Sequence, residues 1–338
     1  PQGCRDPRIT ARAFYACSME LSVAYLGTGG PAPTRLRGLP SVLVSREGFR
    51  IMVDCGEGTQ RQMRLSTGLV RVDEIYLTHF HLDHCMGIPG LLKTYDLNDR
   101  EEPMRILGPV GTVQFMEDLR PFTGRLGFHV EVEEIGDRDV VGYPGFEVEA
   151  FETAHRTASL GYAILEDDRP GRIDPDEAAR LGVSDGPSLG ALQGGQPVTG
   201  EKGEVTPEQV MGDDRPGRAV VVTGDTGPSS RTVEAAADAD LLIHDSSFLS
   251  EDSERAAETA HSTAAQAAGV AAEAGVKMLS LVHISARYHV GAVVEVARET
   301  FPDTNAPRDY DLVRIPFPEK GPPELVREGA IRSGEPEE

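Results

Sequence analysis

The order of apolar and polar positions changes character several times along the chain. Just after Met19 an alternation opens at Glu20-Leu21-Ser22-Val23-Ala24-Tyr25-Leu26, the two-residue period of a half-buried strand. Two β-rich runs follow at 41–45 and 49–54, parted by Arg46-Glu47-Gly48, and predict a hairpin. Further strand-like runs lie at 74–78, 146–153, 161–165, 219–223, 241–243, 278–282 and 312–315. Helical periods follow several of them, at 59–65, 111–119, 231–237, 263–274 and 292–300. Thr263-Ala264-Ala265-Gln266 has the spacing of a capping box, in which two side chains each satisfy the other residue's backbone N–H. Strands pair first as hairpins and then alternate with helices. That order predicts a mixed sheet sandwich covered by helices.

Residues 167–218 break the rhythm. They are rich in Gly, Pro and Asp and poor in apolar runs. A long irregular stretch inside a compact domain is usually functional or disordered, and this one reads as an excursion between two core strands. Residues 1–18 lack any period and read as an extension ahead of a true start at Met19. The segment from 319 onward is rich in Pro, Gly and Glu and is expected to be loose. One domain, 19–318, remains, carrying the insertion.

Composition narrows the class. A chain of 338 residues with 39% apolar content buries a core without disulfides. No apolar run approaches the ~18 residues of a membrane helix, and the first residues lack the apolar stretch of a signal peptide. Cys4, Cys17, Cys55 and Cys85 form no CxxC pair, which fits a reduced, cytosolic chain. The net charge of −22 argues against a general nucleic-acid coat, which needs a basic face. It leaves room for a nucleic-acid enzyme that uses local arginines and bound metal. Only four of the 33 basic residues are lysines. Such an acidic, lysine-poor surface fits a salt-rich cytosol and a GC-rich genome equally.

The strongest chemical signal is Thr78-His79-Phe80-His81-Leu82-Asp83-His84, which packs three imidazoles and a carboxylate into six residues at a strand end. On an extended segment His79, His81 and Asp83 share one side, and His84 needs a turn to face a second point. Imidazole and carboxylate suit zinc-like divalent ions. Two adjacent ions need further ligands, and His155, Asp225 and His283 each end a later apolar strand. Gly27-Thr28-Gly29-Gly30 lacks the rest of a phosphate-binding P-loop and reads as a tight turn. Cys85 beside His84 reads as packing. No GxSxG supports a serine nucleophile.

These runs resemble the metallo-β-lactamase superfamily and, more narrowly, the short-form tRNase Z family. The likeness spans about residues 20–317. It rests on Leu26-Gly27-Thr28-Gly29, Pro33-Thr34-Arg35, Asp54-Cys55-Gly56-Glu57-Gly58-Thr59-Gln60, the histidine cluster and Gly87-Ile88-Pro89-Gly90-Leu91. It continues through Gly224-Asp225-Thr226-Gly227-Pro228, His261-Ser262-Thr263 and His283-Ile284-Ser285-Ala286-Arg287-Tyr288. The resemblance implies an α/β fold, the αβ/βα four-layer sandwich, with 167–218 as a protruding arm that grips the tRNA elbow from the partner of a homodimer. It implies a cytoplasmic endoribonuclease that removes the 3′ trailer of precursor tRNA.

By the same likeness, His79, His81 and His155 hold one zinc ion and Asp83, His84 and His283 a second, with Asp225 bridging; Mn2+ or Mg2+ are possible substitutes. Asp54 orients a ligand, Asp83 and His261 are the catalytic groups, and Asp245 partners His261. Arg35, Arg37 and Arg287 are RNA contacts, and Arg172, Arg180, Arg215 and Arg218 supply most of the arm's cations. The chain departs from the family pattern with Leu82 where Gly is usual and Asp245 where Glu is usual. The alternative is a broader two-zinc phosphodiesterase acting on small diesters or unstructured RNA, which needs no arm. Thioester or lactam hydrolysis gives no reason for the His261 and His283 runs. An RNA-binding module with a dead site gives none for a complete ligand set.

Overall fold

The structure is a computed structural model that describes residues 20–327. The expectations for 1–18 and for the chain beyond 327 lie outside the described residues. Two sheets carry the fold. The first has eight strands in the order β17-β16-β1-β2-β3-β4-β5-β6. Here β1 is Leu21–Gly27, β2 Ser41–Arg46, β3 Phe49–Val53, β4 Glu74–Tyr76, β5 Met104–Gly108, β6 Val130–Glu134, β16 Leu312–Ile315 and β17 Glu324–Val326. The second runs β15-β14-β13-β12-β9-β8-β7. Its members are β7 Val140–Tyr143, β8 Phe146–Glu152, β9 Leu160–Glu166, β12 Ala219–Val222, β13 Leu241–Asp245, β14 Leu279–Val282 and β15 Thr304–Asn305.

Pairing is antiparallel from β17 to β3 and parallel from β3 to β6. From β12 to β15 it is parallel again. Each parallel step needs a long crossover. Helices such as Ile88–Asp96, Thr112–Thr123 and Ala264–Ala274 supply three of these crossovers. The capping box at Thr263 and Gln266 is present as the sequence predicts. The sheets meet at Tyr76 and Tyr162, whose rings cross edge-on with centroids 4.9 Å apart. The Tyr162 hydroxyl donates to the Leu77 carbonyl (2.5 Å).

Three expectations change. β1 is buried along its whole length rather than on one face, so both faces of the sheet are covered there. The segment from 319 is not loose throughout, since Leu312, Val313 and Arg314 pair with Val326, Leu325 and Glu324 and make β17 an edge strand. Residues 167–218 are not irregular. Together with Tyr143–Glu147, the chain from Leu165 to Arg218 forms a compact unit of its own. It contains helices Pro175–Arg180, Gly186–Gln193 and Pro207–Val210, and a hairpin of β10 (Val198–Gly200) and β11 (Gly203–Val205). Ala178, Val183, Leu192, Val205 and Val210 are its buried core.

Candidate metal centre

The candidate residues lie just past the carboxyl ends of strands. Asp54 follows β3, His79 and His81 follow β4, His155 follows β8, Asp225 follows β12, and His283 follows β14; Asp245 closes β13. Three overlapping ligand-like groups result among the described residues; one of them, Asp225, His261 and His283, shares two members with the sets that follow. His79, His81, His155 and Asp225 converge, and so do Asp83, His84 and His283, each set with one ligand-type atom per residue within 4.8 Å of the others. Asp225 stands between the sets. Its Oδ2 is 3.7 Å from His79 Nε2, and its Oδ1 is 3.2 Å from His84 Nε2 and 3.4 Å from His283 Nε2. Gly224, at φ 63°, makes the left-handed turn that aims Asp225 inward, a conformation glycine adopts without a Cβ penalty.

The extended reading of the cluster fails at Asp83. β4 ends at Tyr76, and Leu82–Cys85 is a short helical turn. The turn swings Asp83 away from His79 and His81 and beside His84, with Asp83 Oδ2 3.6 Å from His84 Nε2 and 3.4 Å from His283 Nε2. One run of six residues thereby serves two points. Leu82, in place of the family's glycine, is helical and two-thirds exposed, so its side chain meets no obstacle in the turn.

The far nitrogens of the imidazoles are held, and this decides which nitrogen faces the centre. His84 Nδ1 donates to Asp54 Oδ2 (2.6 Å). His79 Nδ1 lies 3.0 Å from Thr78 Oγ1, and that hydroxyl donates to Asp54 Oδ2 (2.8 Å). Asp54 thus orients one imidazole directly and another through Thr78. His155 Nδ1 donates to the Ala260 carbonyl (3.0 Å). His283 Nδ1 donates to Ser247 Oγ (2.7 Å), which donates to Asp245 Oδ1 (2.6 Å). His81 turns Nδ1 inward, 2.9 Å from His79 Nε2 and 3.3 Å from His155 Nε2.

His261 stacks on His283, centroids 5.2 Å apart, and its Nδ1 donates to Asp245 Oδ2 (2.7 Å). Asp245 Oδ1 also accepts the Ser247 N–H (2.9 Å). The aspartate therefore reaches His261 without the extra methylene of the family's glutamate.

Electrostatics suit a cation site. Burial, with the neighbouring His84, pushes His79 down to about 2, so its imidazole is neutral. Burial also works against charge on His84, but Asp225 and Asp54 outweigh it and hold its pKa well above the ordinary value. His261 is likewise opposed by burial, yet Asp245 raises it to about 9. His84 Nε2 and Asp225 Oδ1 are buried without a hydrogen-bond partner. The two atoms lie 3.2 Å apart, too poorly aligned for a hydrogen bond, and a divalent ion with N/O ligands fits both of them. The residues present fit the implied metal.

Three groups in this network escape a reading of the sequence: Thr78, Ser247 and the Ala260 carbonyl. Thr78 and Ser247 stand beside acidic or histidine residues, but nothing local says which way a hydroxyl turns. Ala260 carries no signal, since only its left-handed backbone (φ 55°) makes it a cap and aims its carbonyl. Among the arginines, Arg35 lies on an exposed loop, and Arg287 is half-exposed, 3.9 Å from Asp252. Arg37 does not face outward; Nη1 donates to Thr28 Oγ1 (2.5 Å) and to the Pro307 carbonyl (3.0 Å). Arg218 is buried and forks onto Glu166, with Nε to Oε2 at 2.6 Å and Nη2 to Oε1 at 2.8 Å, so it offers no charge to a ligand. Cys55 and Cys85 are free and buried, and burial pushes both thiols up to about 12, consistent with packing.

The family model of the metallo-beta-lactamase superfamily matches residues 35–260. A protein named ribonuclease Z from Haloferax volcanii is 48% identical over 306 residues, covering 88% of this chain and 96% of its own. A ribonuclease Z from Methanosarcina acetivorans is 44% identical and covers 88% and 99%. Among solved structures, the short form of human tRNase Z superposes with a TM-score of 0.63 at 26% identity, covering 87% of this chain and 99% of that one.

Proposed function

The chain belongs to the ribonuclease Z family of the metallo-beta-lactamase superfamily, and on that footing we propose that it is a metal-dependent endoribonuclease that removes the 3′ trailer of precursor tRNA. It hydrolyses one phosphodiester and leaves a 3′-hydroxyl on the tRNA. His79, His81 and His155 would hold one zinc ion, Asp83, His84 and His283 a second, and Asp225 both. Manganese or magnesium would serve as substitutes. When bound, such ions offset charge on the phosphoryl oxygens and lower the pKa of water.

The chain's own groups do the rest. Asp83 orients the attacking water and takes its proton. His261, kept protonated by Asp245, donates from Nε2 to the departing oxygen. Asp54, Thr78, Ser247 and the Ala260 carbonyl keep the imidazoles in the ligating tautomer. Arg35 and Arg287 meet the RNA. The unit at 165–218 grips the tRNA far from the scissile bond, from the partner subunit of a homodimer. The enzyme works in the cytoplasm; among the described residues no helix is long and apolar enough to cross a membrane.

The observation that carries this reading is the His261–Asp245 pair stacked against His283 beside two ligand sets. A general phosphodiester hydrolase with activated leaving groups needs no such acid. The test is incubation with a trailer-bearing pre-tRNA and with bis(p-nitrophenyl) phosphate, followed by mapping of RNA ends. Cleavage at one position after the tRNA body supports the reading. Hydrolysis of the small diester alone overturns it.

A further inference from the structure

Next to the metal centre, residues 28–38 form a loop with both ends tied to one distant side chain. Asp309 Oδ1 accepts the Thr28 N–H (3.0 Å) and the Thr28 hydroxyl (2.7 Å). Asp309 Oδ2 accepts the Gly38 N–H (2.6 Å) and Gln62 Nε2 (2.6 Å). Gln62 also donates to the Leu26 carbonyl (2.9 Å), and Tyr310 steadies it by donating to Oε1 (2.8 Å). Arg37 folds back over the neck onto Thr28 Oγ1 and the Pro307 carbonyl. A buried carboxylate with four donors is far stronger than a surface ion pair.

What this clamp fixes is the approach to the metal centre. The His283 N–H donates to the Thr28 carbonyl (3.1 Å), and Gly29 bridges Ile284. Gly30 lies so close that a Cβ there would stand 2.1 Å from His283 Nε2. That nitrogen faces the ligand set, so the exposed segment from Pro31 to Leu36, which carries Arg35, leaves the protein at the rim of the metal centre. We propose that Asp309 is a positioning residue for RNA cleavage: by closing the neck of loop 28–38 it sets where the RNA strand passes over the metal centre, with Arg37 as a strut of that clamp rather than an RNA contact. This rests on the ribonuclease reading above.

The test compares Asp309→Asn with Thr28→Val in the full, metal-loaded chain. An asparagine keeps the shape but turns an N–H donor toward one of the two donor pairs. A valine removes only the hydroxyl that links Asp309 to Arg37. Both variants should raise KM and lower kcat/KM for pre-tRNA, Asp309→Asn by roughly 10- to 100-fold in kcat/KM, since a small misplacement of the reacting phosphate costs that much in rate. Asp309→Asn should also spread cleavage over neighbouring phosphates. Hydrolysis of bis(p-nitrophenyl) phosphate and metal content should stay within about threefold of the parent, because a small diester does not need the loop. Unchanged pre-tRNA KM and a single cleavage position in both folded variants would overturn the proposal. So would an equal loss on both substrates, which makes Asp309 part of the fold only. If the parent chain fails to cut pre-tRNA, the ribonuclease reading falls and takes this inference with it.

Discussion

The metal centre and the unit at 165–218 treat charge in opposite ways. Around the centre the charged and ligating groups are largely buried, and most have a named partner: Asp54 with His84, Asp245 with His261, Asp225 among three imidazoles. Charge there is balanced inside the protein, with His84 Nε2 and Asp225 Oδ1 3.2 Å apart at its middle. In the unit at 165–218, twelve acidic residues face six basic ones, and most lie at the surface. Several of its cations bond within its own chain, two of them to carboxylates. Arg218 forks onto Glu166, Arg180 pairs with Glu177, Lys202 donates to the Arg180 carbonyl (2.7 Å), and Arg215 Nε donates to the Pro170 carbonyl (3.1 Å). Asp174 and Asp185 cap its helices at Pro175–Arg180 and Gly186–Gln193. The two regions therefore differ in what they could offer a polyanion: the centre gathers its charged groups into one buried cluster, whereas the unit at 165–218 carries a net negative charge.

The largest effect is expected at the ligands. His81→Ala and Asp225→Ala should each lose bound metal and reduce RNA cleavage to background while circular dichroism stays near that of the parent. Full activity in stringently metal-free protein would break the reading of the centre. Next in size is His261→Ala, which should keep its metal and slow RNA cleavage by roughly 10²–10⁴-fold, the range for loss of a general acid. Bis(p-nitrophenyl) phosphate, with its good leaving group, should suffer less. In the proposed role His261 acts in its protonated form, and Asp245 raises its pKa, so the rate should fall as pH rises through the folded value. Asp245→Asn should move that alkaline limb to lower pH. A limb that does not move separates the pair from the proton transfer.

A smaller effect is expected at Ser247, whose hydroxyl joins His283 to Asp245. Ser247→Ala should weaken metal binding about 10- to 100-fold, as loss of an outer hydrogen bond to a ligand does. Ser247→Thr should restore it. Chelator competition with Co2+ as a spectroscopic probe reads this without any assay of RNA. The smallest effect on the chemistry itself should come from deleting 170–215. The cut spares Glu166 and Arg218, because a buried charge left without its partner costs about 3–5 kcal/mol. Small-diester hydrolysis should persist and pre-tRNA KM should rise. The salt dependence of binding should change by about two phosphates or less, since Arg172 and Lys202 are exposed cations that lie within the deleted segment. A large drop in salt slope would show that this unit binds RNA by charge after all and would erase the contrast with the centre.

Most strands and several helices were legible from period alone, and β2, β3 and the helix Thr59–Leu65 lie within a residue or so of expectation. The parallel strands β5 and β6 left no usable signal, for they are short and flanked by charge. The unit at 165–218 was hidden for a related reason. Five buried residues are enough for its core, and they are scattered among glycine, proline and aspartate.

The chemistry divides along the same line. The seven ligand candidates were legible in the chain itself, because ligand chemistry depends on residue type and a dense cluster is rare by chance, whereas His261 and Asp245 came only through the family resemblance. The extended period alone put Asp83 with His79 and His81; the resemblance put it with His84, and the helical turn Leu82–Cys85 is what brings it there. The tautomers of His84 and His155 were decided by groups 30 and 105 residues away, Asp54 and the Ala260 carbonyl. Arg37 and Arg218 read alike as surface cations, and both became internal struts once folding brought Thr28, Pro307 and Glu166 to them. Residue type is local, whereas the direction of a hydrogen bond, the burial of a charge and the pairing of distant segments exist only after the chain has closed on itself.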